Sequence, residues 1–147
     1  MTMKMRNKLM KIKNGNRSGR GRGLKIMTWN KSSSRLENGL NEIEVLIKRH
    51  QPDILGLSES NLYNDVDIST VTIDNYTLHT APTLNNKELN ISRTVIYTNT
   101  NVISKRRADL EDEGLSAIWL EVGLPRKKKI FALQFLQRMA VHGTNYK

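Results

Sequence analysis

Asp53-Ile54-Leu55-Gly56-Leu57-Ser58-Glu59-Ser60-Asn61 is an apolar run that breaks off in four polar residues. Pro52 stands before it. A run of this length, bounded by proline and polar residues, reads as a buried strand of a parallel sheet. Its carboxyl end displays one carboxylate, Glu59. In open α/β sheets the carboxyl ends of strands are where ligands and catalytic groups collect. Glu59 is therefore the first candidate site residue.

Working upstream, Leu36, Leu40, Ile43 and Ile47 recur at spacings of four, three and four, one face of a helix that Leu46 widens. Ser34 followed three residues later by Glu37 matches a capping box, and Lys48, Arg49 and His50 suit the negative end of the helix dipole. Pro52 stops the helix. Gly39 inside it costs about 1 kcal/mol relative to alanine and points to a close approach to the sheet. Before the helix, Leu24-Lys25-Ile26-Met27-Thr28-Trp29 lies between Gly23 and Asn30 and reads as a first strand. Strand, helix and strand over 24–58 make a right-handed βαβ unit with parallel strands. Asn30 and Glu59 then sit just past the carboxyl ends of the two strands. If the strands are neighbours, both side chains face one point in space.

Downstream, 62–73 is polar and reads as a loop. Asn75–Thr80, Arg93–Thr98, Ala117–Val122 and Ile130–Phe135 read as four strands with no helix between them. A loop is expected at Thr83–Asn90, a charged stretch with a turn at Gly114 over 105–114, and a basic turn around Pro125. The expected class is α/β, a βαβ unit joined to a mostly antiparallel meander.

The net charge is +10 and it is concentrated. Residues 1–23 hold eight of the 24 Lys and Arg and no acid, which leaves sixteen bases against all fourteen acids elsewhere. Residues 14–23 read Asn-Gly-Asn-Arg-Ser-Gly-Arg-Gly-Arg-Gly and cannot bury enough apolar surface to offset chain entropy, so 1–23 is expected to be a disordered basic arm. Arg17, Arg20 and Arg22 in their Arg-Gly setting are candidate nucleic-acid contacts. The alternative is a solvated tail. Hydrophobic residues make up 37% and aromatics 5%, which suggests a thin core or a piece of a larger unit. With no cysteine there is neither a disulfide framework nor a thiolate metal site. No membrane-spanning run and no secretory signal are present, and the expected location is intracellular, nuclear or cytoplasmic.

Two sets of residues together resemble the endonuclease/exonuclease/phosphatase superfamily. The first is Leu24 to Asn30 followed by a helix and then Gln51 to Leu62, which looks like the family's opening strand ending in Trp-Asn and its strand ending in a metal-binding Glu. The second is Ser92-Arg93-Thr94-Val95-Ile96-Tyr97 with Ser116 to Pro125, which looks closest to the endonuclease domains of non-LTR retrotransposon reverse transcriptases. The resemblance covers 24–135 and implies the N-terminal half of a four-layer α/β sandwich from a family whose members hydrolyse phosphodiesters or phosphomonoesters with Mg²⁺. It assigns Asn30 and Glu59 to the metal and phosphate site. Mg²⁺ takes oxygen ligands, and one or two carboxylates with waters and substrate phosphate suffice. Arg93, opening a strand near that site, is a candidate phosphate contact, though a solvated strand-end arginine is the favoured reading.

The departures weigh as much as the match. The family's Asp-x-Asn, its late Asp-His pair and a Tyr after the strand at Ile130–Phe135 have no counterpart, and Leu136-Gln137-Arg138 follows instead. His142 and Tyr146 have no matching context. The expectation is therefore a truncated endonuclease-like domain, inactive alone, with 136–147 an unrelated tail. DNA is the expected partner, and an open sheet face invites self-association. The competing reading is a small basic nucleic-acid-binding module without catalysis.

Overall fold

The computed structural model describes residues 23–31, 35–81, 91–112, 117–124 and 127–136, with Ile91 and 127–136 described by backbone alone. The rest of the basic arm, the expected cap at Ser34, the 83–90 loop, the turns at Gly114 and Pro125, and 137–147 lie outside the described residues.

Strand β1, Ile26–Asn30, starts the folded chain. A 3-10 turn at Leu36–Gly39 runs directly into helix α1, Leu40–His50. No side chain caps either start, and Glu37 is held by the Arg35 guanidinium at 2.7 Å. The helix ends on Gln51, whose left-handed backbone (φ 45°) lets its N–H donate to the Ile47 carbonyl at 2.7 Å. Gly39 does make room, but for a side chain rather than the sheet. A Cβ there would stand 2.2 Å from Lys31 Cε. The bare glycine lets Lys31, only 6% exposed, cross the start of the helix and donate from Nζ to the Arg35 carbonyl at 2.9 Å.

Strand β2, Ile54–Tyr63, lies directly beside β1 and parallel to it, with Ile26 opposite Ile54 and Asn30 opposite Ser58. Asp53 fastens the entry: its carboxylate accepts the Lys25 N–H at 2.7 Å and its own N–H reaches the Lys25 carbonyl at 2.8 Å. Strands β3 (Tyr76–Thr80) and β4 (Ile91–Asn99) pair antiparallel, and β4 also pairs antiparallel with β2. The first sheet thus has the order β1-β2-β4-β3. Strands β5 (Ile103–Arg106), β6 (Ala117–Leu124) and β7 (Lys127–Leu136) form a second, antiparallel sheet in that order.

The α/β sandwich expected from the sequence is there, with two differences. The strands after the βαβ unit are divided between two sheets instead of forming one meander. β5 is not legible in the sequence and runs into the charged 105–114 stretch, because its inward positions carry Ser104 and Arg106 while Ile103 is 79% exposed. The apolar alternation that marks a strand is inverted there.

Two cores result. On the helix side Leu36, Ile43 and Ile47 close over Leu55, Leu57, Val95 and Tyr97, with Met27 and Trp29 packed at the margin. Burial pushes the Tyr97 hydroxyl far above its usual pKa, and it donates to the Val71 carbonyl at 2.7 Å. Between the sheets Ile54, Ala81 and Ile96 meet Ile118, Leu120 and Val122. Trp119 alternates with these and is half-buried on the far side of β6.

Candidate functional site

Register builds the site. Because β1 and β2 are adjacent and parallel, the carboxyl end of β1 finishes beside Ser58, while β2 runs on to Tyr63. Asn30 closes β1, is exposed, and is opposite Ser58, the residue before Glu59. The Lys31 N–H carries the ladder one step further, donating to the Ser58 carbonyl at 3.0 Å. Across the first sheet the row runs Asn30, Ser58, Thr94, and then Ala81, whose N–H donates to the Thr94 carbonyl at 3.0 Å. The row before it runs Thr28, Gly56, Ile96 and His79. Thr28, Asn30, Gly56, Ser58 and Thr94, with the flanks of Trp29 and Leu57, line a hollow of about 240 Å³. This is the face turned toward the second sheet. Small and hydroxyl-bearing residues leave the space that isoleucines fill elsewhere in the same layer.

Glu59 lies inside β2, not just past its end, because pairing with β4 continues to Tyr63. It is half-buried and its backbone is left-handed, φ 52°; Asn61 is the same, φ 46°. The register explains both. Ser58 pairs with Thr94 and Leu62 with Ser92, so Glu59, Ser60 and Asn61 face the single residue Arg93. Unbroken alternation would return Leu62 to the face of Ser58. Instead it packs into the helix-side core. Such a bulge re-aims side chains beside sites. Ser60, fully buried at its centre, donates to the Ser92 carbonyl at 3.0 Å, and the Ser92 hydroxyl donates to the Ala81 carbonyl. Arg93, half-buried, is thus held opposite Glu59 by register.

The two described histidines are elsewhere. His50 ends α1, which leads to the opposite end of β2. His79 is on β3, on the far side of β4 from β2. Its imidazole pKa is lowered, first by desolvation and then by Arg106, with Glu111 opposing. Arg106 and Glu111 make a two-pronged pair, both contacts 2.9 Å, beside it. Among the described residues no three His, Cys, Asp or Glu gather as a metal cluster. The donors at the strand ends are one carboxylate and one amide. That set fits a Mg²⁺ whose remaining ligands are waters and a phosphate, and does not fit an all-protein cage.

Of the residues singled out in the sequence, Asn30 is opposite Ser58, the residue before Glu59, and Arg93 is opposite the bulge that Glu59 opens; of the three, only Asn30 lines the hollow. Arg17, Arg20 and Arg22 lie outside the described residues. Sequence reading missed Lys31 and Ser60. A lysine after a strand gives no sign of burial until Gly39 is seen beneath it. Ser60 carried a faint signal: a hydroxyl residue between two polar ones, continuing a strand that Glu59 seemed to end.

No protein-family model matches the chain, and no curated protein matches it. The chain is similar to a solved structure, the endonuclease domain of TRAS1, a telomere-specific non-LTR retrotransposon, with a TM-score of 0.53 at 8% identity. The match covers 79% of this chain and 46% of that one, so the chain spans about half the length of the domain it resembles. At this identity the likeness speaks for the fold. Among the described residues no helix is long and apolar enough to cross a membrane.

Proposed function

We propose that the chain is an endonuclease-like domain of the retrotransposon type, within the endonuclease/exonuclease/phosphatase superfamily, whose strand ends bind Mg²⁺ and a nucleic-acid phosphate. One observation carries the reading: β1 and β2 are adjacent and parallel, so Asn30 at the carboxyl end of β1 stands beside Ser58, the residue before Glu59. Glu59 supplies the carboxylate for the metal. Asn30 supplies an amide that orients a phosphate or a ligating water without adding charge. Arg93, opposite the bulge, supplies a fixed positive charge for a phosphate oxygen. Bound Mg²⁺ supplies charge stabilisation on the phosphoryl oxygens.

Among the described residues no three His, Cys, Asp or Glu gather around Glu59, and His50 and His79 are on other elements. The superfamily's Asp-x-Asn and late Asp-His pair, which would supply the general base and acid for activating a water and releasing an alkoxide, have no counterpart in the sequence. On the proposed reading the chain binds and does not cut on its own. In a nicking assay on supercoiled DNA with Mg²⁺, the expected result is no nicking, together with Mg²⁺-dependent retention of DNA that Glu59→Gln removes. Robust nicking abolished by Glu59→Gln would overturn the claim of inactivity, and retention indifferent to Mg²⁺ and to Glu59 would overturn the site.

The charge distribution favours one other reading, a basic binding module without chemistry. Eight cations in residues 1–23 attract a polyanion by themselves. Deleting 1–23 separates the two. If the arm is the binder, most affinity and most of the salt dependence go with it; if the strand ends are, the Mg²⁺-dependent part survives.

A further inference from the structure

Two residues with side chains hold left-handed backbone within one strand, Glu59 and Asn61, and the residue between them is fully buried. Left-handed backbone is unfavourable for most residues with a Cβ, asparagine less than others, and for a glutamate it persists where the surroundings hold it. Among the described residues, one device stands at the centre of the bulge. The Ser60 hydroxyl donates across the bulge to the Ser92 carbonyl at 3.0 Å, and Ser92 in turn donates its hydroxyl to the Ala81 carbonyl at the end of β3. Both serines are buried. Their bonds tie three strands together around the residue that carries the carboxylate.

We infer that Ser60 and Ser92 are positioning residues: their buried hydroxyls lock the β2 bulge and thereby hold Glu59 in its left-handed presentation at the strand ends. The lock is a property of the fold. Its use in placing a metal-binding carboxylate rests on the function proposed above. A strand that simply continued past Ser58 would keep strict alternation and relax the backbone, but would give up the re-aimed carboxylate.

The test has two readouts so that the lock and the site fail separately. The first is the backbone of Glu59 in the full chain, read by NMR as the strong intraresidue HN–Hα contact that a positive φ produces. In Ser60→Ala that signature is lost while the sheet resonances persist. The second is Mn²⁺ affinity by calorimetry, expected to fall about 10-fold in Ser60→Ala, the scale for a group that orients a ligand. Should Ser60→Ala fail to fold, Ser92→Ala and the Glu59→Gly background keep the question open to decision. In Glu59→Gly the left-handed backbone has no steric cost, so the chain gains roughly 3 °C in melting temperature, and Ser60→Ala then costs less than in the wild-type chain. A Glu59 signature unchanged in Ser60→Ala, or equal cost of Ser60→Ala in both backgrounds, overturns the lock. A wild-type chain that shows the signature and its loss in Ser60→Ala but takes up no Mn²⁺ keeps the lock and overturns the site.

Discussion

The first sheet has two faces, and at the end near Asn30 they are built to opposite rules. On the helix side Leu55, Leu57, Val95 and Tyr97 are sealed under Leu36, Ile43 and Ile47, none of them more than 7% exposed. On the other face the same strands present Thr28, Asn30, Gly56, Ser58 and Thr94 around a hollow, and Ile26 is 41% exposed. One alternating backbone gives both. On the second face Ile54 and Ile96 are sealed against Ile118, Leu120 and Val122, and only the end of the strands near Asn30 and Ser58 leaves small groups around a hollow.

That contrast can be broken by substitution. Leu57→Ala, cutting into the sealed side, should cost about 3 kcal/mol in urea unfolding, the scale for a fully buried leucine. Thr28→Ala, one strand away on the open face, should stay within about 0.5 kcal/mol. Equal costs would mean the sealed side and the hollow do not divide the work.

The next effect lies in the second sheet. The Glu111 side chain is only 7% exposed and grips Arg106 with both oxygens. Glu111→Ala leaves a half-buried guanidinium without its counter-charge and should cost roughly 2 kcal/mol, less than a fully buried pair because the Arg106 side chain is about a third exposed. A smaller loss is expected at Gly39→Ala. The added methyl displaces the Lys31 side chain from the helix start and removes its bond to the Arg35 carbonyl, at about 1 kcal/mol. Thermal melts of the two variants give the comparison.

The smallest effect is a pH dependence. His79 is half-buried, its Nε2 makes no hydrogen bond, and desolvation and then Arg106 lower its pKa, with Glu111 opposing. A folded-state pKa below the unfolded value of about 6.5 means the folded chain binds the proton less well. The contribution is present above pH ~6.5 and is lost as pH falls through the folded pKa. Melting temperature should therefore decline in mild acid, and His79→Phe should flatten that part of the profile.

Much of this fold could be read from the chain because its strongest signals are local. The spacing Leu36, Leu40, Ile43, Ile47 has one structural solution, and the apolar Ile54–Leu57 run has few. The pairing of β4 between β2 and β3 was not legible, since Val95, Ile96 and Tyr97 are buried on both faces and name no neighbour. β5 hid because its inward residues are Ser104 and Arg106, satisfied by partners that sequence does not display. At the candidate site, the sequence put Asn30 at the end of its strand, where it is, and Glu59 past the end of its own, where the strand in fact runs on to Tyr63. The bulge was not legible, because Glu59 and Asn61 take a backbone usually reserved for glycine and the buried hydroxyls of Ser60 and Ser92 beside it give no local signal.

A Mg²⁺ titration followed by NMR tests the central claim most directly, reading the Asn30 side-chain amide and the Glu59 backbone amide together. The account predicts that both shift saturably along one curve, and that Glu59→Gln removes the response of Asn30 while leaving the sealed helix-side resonances in place. An Asn30 amide that does not respond to Mg²⁺, or that responds equally in Glu59→Gln, would contradict it.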